Sequence, residues 1–307
     1  MKVFKSFDEA SGIKNPVVTT GSFDGVHIGH KTIINRLRML AEKYSGESVL
    51  ITFHPHPRKV LYPDTAGKDL KLISSQDEKL LLLEKSGVDN VIIIEFTREF
   101  SKITSEEFVR DLLVGKLAAK VIVAGFNHHF GFKKEGDYRQ LWGWRDKYNF
   151  EAEEIPEQEV QHESVSSTRI RKAISEGYIQ RANAYLDHYY IVMGLPVITD
   201  PAESGGLYPF YRMTINDDSK LLPSDGVYAV SAEYGSTVSK AMAVITSDID
   251  NRQVLYFHIP EPADNLSGSV SILYFQKKIT GPVNLKDSSA SGAKLKASLE
   301  EISELIY

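Results

Sequence analysis

Cysteine is absent from all 307 residues. That absence removes disulfides, thiolate nucleophiles and cysteine-ligated zinc from the chemistry open to the chain. Excess positive charge is missing too. The formal net charge of -5 gives no overall attraction to nucleic acid or to an anionic membrane, so any phosphate must be held by local geometry. No stretch approaches the roughly 20 consecutive apolar residues of a membrane span, and the opening MKVFKSFDEASGIKNP lacks the apolar core of a signal peptide. A cytoplasmic protein with neither membrane nor nucleic-acid partner is the expectation. There is also no repeat of fixed period and no long flexible linker. A composition of 42% hydrophobic and 25% charged residues is that of an ordinary globular chain, with length for two domains.

From Pro16 to about Ile155, short β-branched runs alternate with segments of helical period: PVVTTGS, HKTIINRLRMLAEKY, SVLITF, SQDEKLLLLEKSG, DNVIIIEF, TSEEFVRDLLVGKL and KVIVAG. Such alternation predicts βαβ units, and the continuously apolar strands predict a parallel sheet covered on both faces, a doubly wound α/β domain. Ser75 with Glu78, and Thr104 with Glu107, have the spacing of capping boxes that start helices. EAEEIPEQEVQHE reads as a solvated strand and loop. STRIRKAISEGYIQRANAYLDHYY reads as one or two helices. Then YYIVMG, YRMTI, GVYAVSAEY, KAMAVITS, VLYFHI and SVSILYFQKKI, separated by turn residues, predict an antiparallel barrel or sandwich. GAKLKASLEEISELIY predicts a closing helix. The domains are expected at 1–186 and 187–307.

The run VVTTGSFDGVHIGH places three glycines, an aspartate and two histidines directly after the first strand, at the sheet edge where open α/β folds bind ligands. Gly21, Gly25 and Gly29 allow close approach of main-chain N–H groups. His30 is expected to open a helix whose N-terminus carries a partial positive charge of about half a unit. His27 and His30, three apart, can face one side of the first turn and donate to phosphate oxygens. These features favour a polyphosphate. A zinc pair would be spaced by four with a glutamate, and no Gly-Lys-Ser/Thr or dinucleotide glycine spacing is present. Asp24 has several open readings: orienting His27, positioning adenosine or a cation, or closing an Asx turn.

GSFDGVHIGH resembles the His-x-Gly-His signature of nucleotidylyltransferases, and with Phe-Asp-Gly it is similar to the bacterial FAD synthetase family, usually bifunctional as riboflavin kinase and FMN adenylyltransferase. TFHPHPRKVL, AGFNHHFGFKKEGD and VSSTRIR follow in the family's order. The resemblance implies transfer of AMP from ATP to FMN, with FMN as substrate, FAD and pyrophosphate as products, and Mg2+ accompanying ATP. It implies a Rossmann-like nucleotidylyltransferase domain followed by a riboflavin-kinase-like β-barrel with a C-terminal helix. By the same resemblance His27, His30, Asn127 and Arg169 act on the triphosphate. Gly21, Ser22, Phe23, Asp24, Gly29, Ser166, Ser167, Thr168 and Arg171 bind the nucleotide. Phe53, Pro55, His56, Pro57 and Phe130 contact the flavin. The magnesium ligands are left open, and His54, His128 and His129 are assigned nothing. Alternatives are the full bifunctional enzyme, a flavin or nucleotide binder without turnover, and a transferase acting on another phosphate acceptor, which FHPHP and the barrel disfavour.

LLPSDGVYAV and VLYFHI resemble strands of the riboflavin kinase barrel. The kinase loop is expected to carry Pro-Thr-x-Asn, and here the chain reads GGLYPFYRMTIND. Gly205 and Gly206 survive, but no Pro-Thr-x-Asn is present, and Thr214 and Asn216 are read as falling in a different order. Tyr256 stands where the family places its catalytic glutamate. With a reference pKa near 10 against about 4.3 for glutamate, a tyrosine is a poor base at neutral pH. The barrel is therefore expected to fold but to phosphorylate riboflavin weakly or not at all.

Overall fold

The computed structural model describes residues 1–125, 128–156, 159–160, 163–200, 206–260, 266 and 268–305. The chain packs as two compact units: Met1–Leu70 with Lys79–Ser166, and Lys71–Glu78 with Ser167–Tyr307.

In chain order the first unit runs through β1 (Lys2–Phe4), β2 (Val17–Thr20), α1 (Ile28–Lys43), β3 (Ser48–His54), α2 (Pro57–Leu61), α3 (Gln76–Lys85) and β4 (Asn90–Glu95). It continues through α4 (Ser105–Glu107), which passes into π-helical turns at Phe108–Lys116, then β5 (Val121–Gly125), α5 (Tyr138–Tyr148), β6 (Glu151–Ile155) and the short pair β7 (Glu159–Val160) and β8 (Glu163–Ser164). The first three residues of α3 group with the second unit.

Six strands form one sheet in the order β1-β4-β3-β2-β5-β6, every neighbouring pair parallel. The chain winds from β2 out to β4, then returns to β5 on the other side of β2. The order reverses there, the position at which open α/β sheets bind ligands beyond the carboxyl ends of their strands. Burial explains why the centre is so apolar: all four residues of β2 and the first four of β5 are buried. Val18, Ile51, Ile92, Val109 and Leu113 pack one face, and Val17, Leu37, Leu40, Val121 and Val123 the other. Thr19, buried between them, satisfies its hydroxyl by donating to the Val123 carbonyl at 2.9 Å.

Both expected capping boxes form. Thr104 and Glu107 exchange side-chain and backbone bonds, and Ser75 and Glu78 do the same at 2.8 and 3.2 Å. The helix after Thr104 continues with wider turns, as Leu117 N–H donates to Leu112 O at 3.1 Å. Several elements lie outside the sequence expectation, among them α2, β1 and α5. β1 is a three-residue edge strand, and α5 follows an Asp137 cap that accepts from the Gln140 N–H.

The second unit holds α6 (Ser167–Ser175), α7 (Ile179–Leu186), β9 (Tyr190–Ile198), β10 (Tyr211–Thr214), β11 (Gly226–Tyr234), β12 (Thr237–Ser247), β13 (Gln253–His258), β14 (Ser271–Thr280) and α8 (Ser288–Glu304). The six strands correspond to the six apolar runs and close into an antiparallel barrel, β10-β13-β12-β11-β14-β9. Closure removes the exposed edges an open sheet would present. α8 contributes Leu295 and Ile302 to a core shared with Phe210, Val227 and Met242.

The segment Lys71–Glu78 is tied into this unit by a buried ion pair, Glu78 to Lys220 at 2.6 Å, with side chains 0% and 1% exposed. Lys220 Nζ also donates to the Ile73 and Ile191 carbonyls, and Glu78 accepts from Met193 N–H at 2.8 Å. Removing one member of such a pair strands a charge. Lys220→Met is expected to lower stability to urea by about 3–5 kcal/mol, with much of it regained in the Glu78→Gln/Lys220→Met double variant. A single-variant loss below about 1 kcal/mol, the range of an exposed pair, would contradict the structural role of the pair.

Candidate active site

The phosphate-loop candidate occupies the switch-point end of β2. α1 starts two residues earlier than expected: His27 is its N-cap, and His30 lies inside the first turn. The helix begins there because the loop reverses tightly. Phe23, Gly25 and Val26 adopt φ of 49°, 81° and 42°. Left-handed backbone at a β-branched valine is sterically costly, of order 1–3 kcal/mol, and persists where the surroundings over-determine it. Phe23 and Val26 are 2% and 0% exposed, which supplies that constraint. The result is a pair of stacked imidazoles, His27 and His30, with centroids 3.6 Å apart and 18° between planes. Phe23 leans on His30 at 4.8 Å. A Cβ at Gly29 would stand 3.2 Å from His27 Cε1, so a side chain there would press on the His27 ring and shift it by a few tenths of an ångström.

Burial pushes His30 well below the usual imidazole range, and positive charge at His27 and then Lys79 pushes the same way. The ring is therefore neutral near pH 7, with an enclosed Nδ1 that has no hydrogen-bond partner. Asp24 is 3% exposed and Lys79 7%. Lys79 Nζ donates to Thr52 Oγ1 at 3.2 Å and lies 3.5 Å from the Ser22 carbonyl, which also accepts from Thr52 Oγ1 at 3.1 Å. Burial lowers Lys79 to about 8, with Asp24 opposing the fall. Neither Thr52 nor Lys79 stood out in the sequence. A signal existed for the lysine: Lys79, Leu82 and Leu83 share the i, i+3, i+4 face that α3 buries.

At the end of β3 the structure gathers an aromatic row. Phe53 meets Phe96 and Phe100 at 5.5 and 5.9 Å, Phe100 meets Phe108, and Phe108 meets Phe130 at 6.2 Å. Phe53 and Phe130 were expected here; Phe96, Phe100 and Phe108 come from separate segments. Pro55 is exposed, Pro57 is the first residue of α2, and His56 caps that helix by accepting from Arg58 N–H at 3.2 Å. His128 stacks on Phe130 at 6.1 Å and 19°. Its Nε2 is enclosed without a partner.

The remaining expected residues are placed more simply. Asn127 lies outside the described residues. Ser166 ends the first unit, while Ser167, Thr168, Arg169 and Arg171 form the first turns of α6 in the second. Thr168 and Arg169 are exposed there.

The chain is similar in sequence and in overall fold to known proteins. The FAD synthetase family profile matches residues 10–169. Bifunctional riboflavin kinase/FMN adenylyltransferases are similar over most of the chain: 32% identity in Listeria monocytogenes, covering 87% of this chain and 81% of that protein, and 30% in Escherichia coli, covering 86% and 84%. The chain belongs to the FAD synthetase family. The Bacillus subtilis member is 28% identical, over 86% of this chain and 80% of its own. Among solved structures, a Streptococcus pneumoniae chain titled a macrolide-efflux protein superposes with a TM-score of 0.87 at 25% identity, covering 100% of both chains. Among the described residues here, no helix is long and apolar enough to cross a membrane.

Within this FAD synthetase family chain, the barrel's departure from the kinase pattern is narrower than the sequence reading had it. Thr214 and Asn216 keep the Thr-x-Asn spacing, with Met213 replacing the proline. Both are exposed at the end of β10 and just beyond it. Gly205 lies outside the described residues. Tyr256, where a glutamate is expected from the resemblance, is packed against the barrel core, and the nearby His258 is bound through Nδ1 to the Pro209 carbonyl at 2.9 Å.

His128 makes the first unit acid-sensitive. Burial, then the charge of His129, lowers its pKa to about 4, whereas an unfolded histidine titrates near 6.5. Between those values the unfolded chain binds more protons, so stability present above pH 6.5 is lost as pH falls toward 4. His128→Phe is expected to lose less thermal stability than the parent between pH 7 and 5. Equal losses would contradict the assignment.

Proposed function

We infer that the chain transfers the adenylyl group of ATP to FMN, releasing FAD and pyrophosphate. The observation that carries this reading is the stacked His27 and His30 pair at the sheet's switch point, in a chain of the FAD synthetase family. An FMN phosphate oxygen attacks the α-phosphorus of ATP and forms a new P–O bond. The bond from that phosphorus to the α,β-bridging oxygen breaks, and pyrophosphate leaves with the electron pair. No covalent enzyme intermediate is needed, so rate comes from alignment and from neutralising charge.

In this reading Gly21, Ser22, Phe23, Asp24 and Gly29 form the phosphate cradle at the head of α1, and His27 and His30 donate to the triphosphate. The anion opposes the burial that keeps His30 neutral, so ATP binding draws a proton onto the pair. Asn127, Arg169, Ser166, Ser167, Thr168 and Arg171 complete nucleotide binding. Phe53, Pro55, His56, Pro57 and Phe130 take the isoalloxazine ring, the aromatic row supplying an apolar wall. Mg2+ enters as the companion of ATP. An ion of this kind is held chiefly by phosphates and water. The division of work falls at 1–186 and 187–307, and ATP chemistry in a cysteine-free chain suits the cytoplasm.

His30→Ala is expected to lower kcat for FAD formation by about 10²-fold or more, as loss of one preorganised donor does, while FMN affinity stays within about twofold because the ring acts on the triphosphate. Unchanged kcat would remove the pair from the mechanism. With riboflavin and ATP, FMN should form about 10²- to 10⁴-fold more slowly than in a kinase with its general base in place. Phosphorylation at a full kinase rate would show that Tyr256 is no impediment.

A further inference from the structure

Lys79 is the one lysine of the first unit among the buried polar residues. Exposed on α3, its ammonium would keep full hydration; here it is enclosed and bonded only to neutral oxygens, Thr52 Oγ1 at 3.2 Å and the Ser22 carbonyl at 3.5 Å. The Ser22 carbonyl also accepts from the Thr52 hydroxyl at 3.1 Å, and the enclosed Asp24 is the anionic group that favours the ammonium. Its position gives that charge a use. Ser22 opens the phosphate cradle after β2, and Thr52 directly precedes Phe53 and the flavin-facing FHPHP. The ammonium thus joins the start of the segment proposed for ATP to the start of the one proposed for FMN.

We infer that Lys79 is a positioning residue for adenylyl transfer, locking Ser22 to Thr52 and holding a fixed positive charge where two anionic substrates meet. This rests on the adenylyl-transfer reading. The charged and titratable groups around it are Asp24 in the cradle and His27 and His30 at the head of α1; β3 presents the neutral Thr52. Asp24 favours the ammonium, burial opposes it, and the outcome is a pKa of about 8. The same charge helps keep His30 unprotonated in the free site. As the anionic substrates bind, they offset the ammonium and the imidazoles together.

Three forms of the full chain test this: the parent, Lys79→Met and Lys79→Arg. For the parent, kcat/KM for ATP should decline as pH rises through about 8. Lys79→Met should be lower by about tenfold or more at pH 7 and should lack that decline. Lys79→Arg, whose guanidinium stays charged above pH 12, should regain part of the activity and hold it through pH 9. A Lys79→Met enzyme within about twofold of the parent, or one keeping the decline near pH 8, would overturn the inference. So would a Lys79→Arg enzyme as impaired as Lys79→Met at every pH, the mark of a packing role. Pyrophosphate binding, followed by calorimetry, reads the site without turnover. Weaker binding by Lys79→Met is expected, and equal binding overturns the inference. A parent that binds pyrophosphate but makes no FAD would instead sink the adenylyl-transfer reading.

Discussion

Two imidazoles stacked 3.6 Å apart in an enclosed site cannot both hold a proton unless an anion arrives. Much of the first unit serves that constraint. The parallel sheet fixes the end of β2; left-handed residues at Phe23 and Val26 turn the chain back sharply; the N-cap at His27 sets the rings on one side of α1. Burial and the nearby Lys79 ammonium then hold His30 neutral. In the proposed reading these rings are the phosphate donors, and an anion offsets the burial that holds His30 neutral. A triphosphate is such an anion, and the helix N-terminus favours it too.

The fold was legible in the sequence wherever periodicity is enforced by burial on a regular element. β2 through β5, the two capping boxes and all six barrel strands fall in that class. β1 was illegible because a three-residue edge strand borrows its structure from β4. α5 was illegible because YRQLWGWRDKY buries only Leu141 and so writes little apolar period. In the candidate site, glycines and histidines within one loop could be read because backbone geometry and spacing there are local. Phe96, Phe100 and Phe108 become neighbours of Phe53 and Phe130 only through the sheet, which no local pattern announces. Lys79 hid in a run of leucines, where a lysine reads as a solvated helix residue unless its face is traced.

The second unit folds on a pattern of its own. Barrel closure and the α8 core depend on alternating apolar residues, none of which the kinase chemistry needs. Tyr256 fits that core by packing its ring, as a glutamate would not. Thr214 and Asn216 remain on the surface, where keeping them costs no packing. The buried Glu78–Lys220 pair belongs to the barrel's architecture.

Position-labelled ATP tests the central claim most directly. With ATP carrying 32P at the α-phosphorus, FMN and magnesium, the account predicts labelled FAD and unlabelled pyrophosphate in equal amounts. Label that stays in ATP, or that appears as free AMP while FMN is unchanged, would contradict adenylyl transfer to FMN.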